Sequence, residues 1–126
     1  MKRFALLFAV VALAACNRAE QPAASTPAPP PAAGNAERGK ALAGQYGCNV
    51  CHAIPGVEGP AGSLGPTLAG FASRPAFSNG AVQTTPETLT KYIVEPASVN
   101  PQTSMPPVGA NVADAQDIAA FLMTLK

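Results

Sequence analysis

From residue 35 onward, apolar and polar side chains alternate with the period of helices that pack one face against a core. The first such pattern predicts a helix from Ala36 to about Tyr46. Small and aromatic side chains recur in it at spacings of three and four; they are Ala36, Gly39, Ala43 and Tyr46. A face with such small side chains allows a second helix to approach closely.

The C-terminal segment has a strong amphipathic pattern, a stripe with the i, i+3, i+4, i+7 spacing. Its members are Ile118, Phe121, Leu122 and Leu125. Asn111 precedes the segment and can cap it, because its side-chain oxygen can accept a hydrogen bond from a free N–H group of the first turn. We expect the two terminal helices to cross where Gly39 meets Phe121.

A third helix is predicted from Thr85 and Pro86, an N-cap residue followed by a proline at the first helical position. Its inner face comprises Leu89, Tyr92 and Ile93, and Pro96 ends it. The segment 54–66 contains three prolines and four glycines and is predicted to be a loop. No strand pattern is found, so the predicted fold class is all-α, with three to four helices and long loops.

The N-terminus has the features of an export signal. Lys2 and Arg3 precede an uncharged apolar run over residues 4–15, which is typical of a secretory signal peptide and too short to span a bilayer. The run ends in Leu-Ala-Ala-Cys, which resembles the lipobox of bacterial lipoproteins. This resemblance implies that residues 1–15 are removed and that Cys16 is lipidated. The alternative is ordinary cleavage near Ala15, which would leave Cys16 as an exported thiol without a partner.

Residues 16–34 are rich in proline and alanine and lack hydrophobic periodicity, so they are predicted to form an extended tether. Residues 35–126 then form one small domain. On this interpretation the domain lies on the periplasmic side of a membrane, to which the lipid on Cys16 anchors it. Many lipoproteins retained at the inner membrane have Asp after the lipidated cysteine; Asn17 in that position favours the outer membrane.

The charge balance excludes one class of partner. The chain has eight basic and seven acidic side chains, and two of the basic ones lie in the predicted signal peptide. The exported chain is therefore close to neutral and has no basic face for nucleic acid. A mostly apolar surface that docks its partners weakly and transiently is the better fit.

The chain's only histidine directly follows two of its three cysteines, in the sequence CNVCH. Cys-x-x-Cys-His is the attachment motif of a c-type haem. On a helical turn, Cys48 and Cys51 share one face, where two thiols can add to the two vinyl groups of the porphyrin. His52 follows on that face and can reach the iron as an axial ligand.

Two alternatives use the same residue types. A structural zinc site needs four ligands, of which these types supply three. A thiol-disulfide exchange site would accompany a βαβ pattern, which the chain lacks.

Residues 35–126 resemble a class I cytochrome c through five segments in the family's order. They are CNVCH, the loop Gly65–Gly70, the helix Thr85–Pro96, the methionine loop Ser104–Pro107 and the terminal helix Asp117–Leu125. The resemblance implies the small cytochrome c fold wrapped around one covalent haem c. It also implies that Cys48 and Cys51 attach the haem and that His52 is an axial ligand of its iron.

The second axial ligand cannot be another histidine of this chain. Met105 is the leading candidate, since Pro106 and Pro107 hold it in an extended loop where its thioether can be aimed. It also matches the methionine of the family. The alternatives are Met123, Lys91 and water, and Met123 lies inside a predicted helix, where it suits core packing.

Four further residues have roles that only the resemblance implies. Pro66 matches the proline whose carbonyl accepts the free ring N–H of the axial histidine. Tyr92 stands where many members have a tryptophan that hydrogen-bonds a haem propionate. Arg74 would pair with a propionate, with a solvated surface charge as the alternative, and Leu68 would pack on the porphyrin face.

These assignments predict a one-electron carrier rather than an enzyme, cycling its haem iron between Fe(III) and Fe(II) in a bacterial respiratory or periplasmic electron-transfer chain. Its partners would be redox proteins that donate and accept electrons. One alternative is a haem enzyme or ligand sensor, in which Met105 leaves the iron open. Another is a fixed electron-transfer subunit of a dehydrogenase or oxidase.

Overall fold

The computed structural model of the protein describes residues 33–126. The predicted signal peptide, Cys16 and the tether as far as residue 32 lie outside these residues, and their assignments stay predictions. Five α-helices lie in the described part; they are α1 (Ala36–Gln45), α2 (Cys48–Cys51), α3 (Pro86–Val94), α4 (Pro96–Val99) and α5 (Val112–Leu122). The three longer helices, α1, α3 and α5, are those that the sequence predicts.

Each of these longer helices begins at a side chain that satisfies one of its first free N–H groups. Asn35 accepts a 2.9 Å hydrogen bond from a backbone N–H in the first turn of α1. Thr85 and Thr88 cap each other reciprocally at the start of α3. Asn111 accepts a 2.9 Å hydrogen bond from the first turn of α5. The predicted helix starts at Thr85 and Asn111 are confirmed.

Glycine determines how closely α1 and α5 approach each other. A Cβ atom on Gly39 would lie 2.9 Å from Ile118 N and closer still to the carbonyl of Asp117. The prediction that Gly39 meets Phe121 was wrong, because Gly39 contacts the backbone of α5 one turn earlier. Phe121 is buried in the core instead.

A polar network joins the same two helices. The Arg38 guanidinium pairs with the carboxylates of both Asp114 and Asp117. The hydroxyl of Tyr46 donates to Asp114 Oδ2 at 2.7 Å, and the backbone N–H of Asn35 donates to Asp117 Oδ1 at 2.6 Å. Both carboxylates are buried, and these partners replace the water that they lose.

The core forms where α1 and α3 pack against α5, and it continues beneath the loops. Its buried apolar side chains include the predicted ones Ala43, Leu89, Ile93, Ile118, Phe121 and Leu122. Leu125 is only partly buried, whereas Leu42, which lies outside the predicted face of α1, is buried. The loops contribute Ile54, Leu68, Phe71 and Ala110.

The expectation that the chain has no strands was wrong. Two antiparallel strands, β1 (Ala76–Phe77) and β2 (Val82–Gln83), form a short hairpin. Ser78, Asn79 and Gly80 between them have positive φ angles, which asparagine and glycine adopt more readily than most residues. Strands of two residues have no period-2 pattern to detect, so periodicity missed them.

Pro96 ends α3 as predicted and also begins the single turn α4. A proline is well tolerated at the first helical position, where its missing N–H would have no partner in the helix. Within residues 33–126, no helix has the length and apolar character needed to cross a bilayer.

Candidate functional site

The two cysteines of the CNVCH motif lie on the single turn α2. Gly47 precedes this turn in the left-handed conformation, at φ 68°, which glycine adopts without strain. Cys48 and Cys51 are half-buried free thiols, and burial raises the pKa of the Cys48 thiol. The turn therefore presents two unpaired thiols three residues apart, the donor set that two thioether bonds require.

His52 lies just beyond this turn rather than on it. Its φ of −115° and ψ of 138° are extended, so the helical turn ends at His52, and the prediction that His52 shares a face with the cysteines stays a prediction. Its backbone N–H still bonds to Cys48 O at 2.9 Å. The change of conformation directs the imidazole toward the loop 54–66.

The backbone carbonyl of Pro66 holds the His52 ring. Nδ1 lies 2.7 Å from Pro66 O, and a carbonyl can only accept, so the hydrogen-bond pattern assigns the proton to Nδ1. Nε2 on the opposite side of the ring keeps its lone pair. The structure thus contains the contact that the resemblance implied, and the ring has the tautomer that a metal ligand needs.

Gly65 provides the space for this ring. A Cβ atom at Gly65 would lie 2.6 Å from His52 Nδ1 and 2.9 Å from Nε2. These distances are too short for nonbonded atoms, so a side chain here would displace the imidazole. Sequence analysis placed Gly65 in a family loop without a role. The sequence feature that could have revealed its role is its position directly before Pro66, whose counterpart in the family contacts the axial histidine.

The loop 54–66 is held against α2 by backbone hydrogen bonds. Gly62 N donates to Asn49 O at 3.0 Å, and Gly65 N donates to Cys51 O at 2.8 Å. The side chain of Asn49 donates to Glu58 O at 2.8 Å and is only 6% exposed. Asn49, a variable position within the motif, was missed because nothing local shows that its amide would be buried beneath a loop.

The methionine loop is held by a second set of hydrogen bonds, distinct from those that hold the loop 54–66. Met105 is half-buried, and its backbone N–H donates to Thr103 Oγ1 at 3.2 Å. The same Oγ1 bonds to the hydroxyl of Tyr92, which also lies 3.1 Å from Ser78 Oγ. Asn100 Nδ2 donates to Ser78 Oγ at 2.9 Å. This network ties α3 and the hairpin to the backbone of Met105.

Tyr92 therefore supports the methionine loop through Thr103, a role that sequence analysis missed. The phenol is buried, and its ring meets Phe77 edge-on with centroids 5.0 Å apart. Its hydroxyl contacts Thr103 and Ser78. The propionate contact suggested for this residue stays a prediction.

Leu68 and Arg74 lie on the segment that follows His52 and its loop. Leu68 is buried, and its N–H donates to Ala53 O at 2.9 Å. Arg74 Nη2 donates to the carbonyls of Thr67 and Ala69 at 2.7 and 2.8 Å. Arg74 thus braces the backbone on both sides of Leu68, and its pairing with a propionate stays a prediction.

The competing ligands lie in different environments. Lys91 is exposed on α3, while Met123 ends α5 and packs against the core. Within residues 33–126, no three side chains among His, Cys, Asp and Glu converge to hold a metal ion. A zinc site on Cys48, Cys51 and His52 would need a fourth ligand, whereas attachment of a porphyrin through two thiols needs no such set.

Two comparisons with known proteins bear on this arrangement, and the family model covers all of it. The family model described as cytochrome c matches residues 36–126. A protein described as cytochrome c-type cyt cy, from Rhodobacter capsulatus, is 35% identical in an alignment of 86 positions that covers 62% of this chain. The match spans 43% of the length of that relative.

Proposed function

Because the chain belongs to the cytochrome c family, whose members carry electrons on a covalently attached haem c, we propose that it is a one-electron carrier of a bacterial respiratory or periplasmic electron-transfer chain. Its cofactor is haem c. We assign Cys48 and Cys51 to the two thioether bonds and His52 and Met105 to the two axial positions of the iron.

The arrangement of His52 carries this proposal. The imidazole directly follows the two free thiols, and its Nδ1 bonds to Pro66 O at 2.7 Å. Gly65 lies so close to the ring that any Cβ there would overlap it. A histidine that only filled space would need neither a defined tautomer nor a glycine at this distance, whereas a ligand needs a free Nε2 and a fixed ring plane.

When bound, the haem supplies a one-electron Fe(III)/Fe(II) couple. The protein's own residues hold the two axial donors in place. His52 is oriented by Pro66, and Met105 is supported through Thr103 and Tyr92. With both positions filled by the protein, no site remains for oxygen or a substrate, which favours a carrier over an enzyme.

Absorption spectroscopy on protein made in a host with a haem-attachment system tests the assignment. We expect the pyridine haemochrome of a two-thioether haem and, in the oxidised protein, a sulfur-to-iron charge-transfer band. Met105→Ala should abolish this band. Met123→Ala is the matched control and should retain it, because Met123 packs against the core at the end of α5.

Other outcomes would contradict the proposal. A band that survives in Met105→Ala but not in Met123→Ala would transfer the axial role to Met123. A high-spin wild-type spectrum with rapid carbon monoxide binding would favour a haem enzyme or ligand sensor. The absence of covalent haem would refute the cofactor assignment.

The proposal extends to the N-terminal residues. We place the haem domain on the periplasmic side of a membrane, anchored through a lipidated Cys16 and a tether that ends near residue 34. Such a tether raises the effective concentration of the domain near its partners. Metabolic labelling with a fatty acid should mark the wild type, and label on a Cys16→Ser variant would contradict the anchor.

A further inference from the structure

The side chain of Asn49 is buried between α2 and the loop that follows the motif. Asn49 is 6% exposed, and its Nδ2 donates a 2.8 Å hydrogen bond to the backbone carbonyl of Glu58. Gly59, at φ 105°, brings the loop backbone so close to this amide that a Cβ atom there would lie 2.7 Å from Asn49 Nδ2. This buried polar group belongs neither to the proposed thioether bonds nor to the proposed axial ligands.

In the described part of the chain, three hydrogen bonds join residues 58–65 to α2. Asn49 takes part in two of them, since its backbone carbonyl also accepts from Gly62 N at 3.0 Å. The third runs from Gly65 N to Cys51 O at 2.8 Å. Two of the three join backbone atoms only, so the bond from the Asn49 side chain is the one that depends on the identity of a residue.

The far end of the same loop holds the His52 ring. Pro66 O lies 2.7 Å from Nδ1, and a Cβ atom at Gly65 would lie 2.6 Å from the same nitrogen. The ring follows α2 directly, whereas the atoms that orient it belong to the loop. A shift of the loop along α2 therefore changes the N–H···O geometry at Nδ1, and a hydrogen bond weakens steeply as it loses alignment.

We propose that Asn49 is a positioning residue for the axial histidine: its buried amide fixes the loop 58–66 on α2 and thereby keeps Pro66 O on Nδ1 of His52. This inference rests on the proposed function, because it concerns the ring that we assign to the iron. A hydrogen bond at the free ring nitrogen of a ligating histidine fixes the ring plane and raises the basicity of the imidazole. Asn49 thus acts on the iron through the loop, from a position between the two attachment cysteines.

Hydrogen exchange of the His52 Nδ1 proton tests this role. The chain has one histidine, so isotopic nitrogen labelling of histidine marks that proton alone in the nuclear magnetic resonance spectrum of the reduced, haem-loaded protein. Asn49→Leu keeps a side chain of similar size and removes the donor to Glu58 O. We expect the Nδ1 proton to exchange about tenfold faster, because the loop loses a hydrogen bond from a buried donor and opens more often.

The reduction potential of Asn49→Leu gives a second readout. It should rise, because a weaker hydrogen bond at Nδ1 makes the imidazole a poorer electron donor to Fe(III). The sulfur-to-iron charge-transfer band should persist, since Met105 is held through Thr103 and Tyr92 by a separate set of hydrogen bonds.

Asn111→Leu is the matched control for a loss of stability. It removes the same kind of amide from the start of α5, where Asn111 accepts from Asp114 N at 2.9 Å and donates to Asp114 Oδ2 at 2.8 Å. The protein should be destabilised, while the Nδ1 proton of His52 exchanges within about twofold of the wild-type rate. Val50→Ala controls for a change within the motif, since Val50 is 57% exposed; its exchange rate and reduction potential should match those of the wild type.

Asn49→Ser provides a second variant and decides the question if Asn49→Leu does not acquire haem. The serine hydroxyl is too short to replace the amide, so the exchange should still accelerate and the potential should still rise.

Two results would overturn the inference. One is exchange of the Nδ1 proton at the wild-type rate in the Asn49 variants. The other is an equal acceleration in Asn111→Leu, which would show that Asn49 contributes to overall stability alone. The wild-type spectrum keeps the two proposals apart: if covalent haem and the charge-transfer band are present, a failed exchange test refutes only the role of Asn49.

Discussion

The hydroxyl of Tyr92 meets the hydroxyl of Thr103, and through this contact helix α3 supports the loop of Met105. Thr103 Oγ1 also accepts the backbone N–H of Met105 at 3.2 Å. The phenol lies 3.1 Å from Ser78 as well. Helix, hairpin and methionine loop are therefore joined at one buried hydroxyl, so the position of the proposed ligand depends on residues outside its own loop.

Tyr92→Phe keeps the ring against Phe77 and removes only this hydroxyl. We expect the free energy of unfolding to fall by about 1–2 kcal/mol, because the hydroxyls of Thr103 and Ser78 lose a buried partner. The charge-transfer band should disappear on heating before the helices unfold, since the methionine loop loses its support. Parallel absorption and far-ultraviolet circular dichroism melts measure both transitions.

Tyr46→Phe serves as the control for this change. It also removes one phenolic hydroxyl, but that hydroxyl donates to Asp114 between α1 and α5. The protein should be destabilised, while the band and the helices are lost together. If Tyr92→Phe also loses both signals at one temperature, Tyr92 does not act through the methionine loop.

Gly65→Ala should disturb the axial histidine. The added Cβ would lie 2.6 Å from His52 Nδ1, so either the ring or the loop must move, at a cost of about 1–3 kcal/mol. We expect a lower yield of haem protein and a shifted reduction potential, measured by haemochrome assay and redox titration. Pro66→Ala keeps the backbone carbonyl that accepts from Nδ1 and should change the potential much less. Equal shifts in the two variants would argue against the role of Gly65.

Gly39→Ala should separate α1 from α5. Its Cβ would overlap the carbonyl of Asp117, and overpacking of this kind costs about 1–3 kcal/mol or more. Gly44→Ala is a control on the same helix, because its nearest neighbour would be Val57 Cγ1 at an ordinary 3.7 Å. That variant should be unchanged or more stable by up to about 1 kcal/mol. Denaturant titrations compare the two, and a Gly39→Ala variant as stable as Gly44→Ala would show that the helices can part without cost.

The carboxyl of Asp114 should make stability depend on pH under acidic conditions. The Tyr46 hydrogen bond, followed by contacts with Arg38, lowers the pKa of Asp114 below its usual value of 3.8. A lowered folded-state pKa means that this stabilisation is present above the usual pKa and is lost as the pH falls toward the folded value. In Asp114→Asn the free energy of unfolding should be lower at pH 7, and its difference from the wild type should narrow as the pH falls below 3.8.

Glu95→Gln, a change at an exposed residue that follows α3, controls for the loss of one acidic group. Its unfolding free energy should run parallel to that of the wild type. A gap between wild type and Asp114→Asn that stays constant with pH would show that Asp114 contributes through packing rather than through its charge.

Much of the fold could be predicted because its signals are local. The caps at Thr85 and Asn111 act within one turn of their helices, and the buried stripe that contains Ile118 and Phe121 follows from the helical period. The hairpin at 76–83 was missed because each strand has only two residues. The conformation of His52 was also missed, since the position at which a single helical turn ends depends on the loop packed against it.

By itself, the sequence determined the cysteine-histidine motif, the helix boundaries set by capping residues and the small face of α1, because each depends on residues within a few positions of one another. Only the tertiary structure decided which atom of His52 is protonated, that Gly65 lies on the imidazole ring, and that Tyr92 supports the loop of Met105. These relationships join residues more than ten positions apart. They arise from close packing and from the need of buried polar groups for partners, which no local pattern encodes.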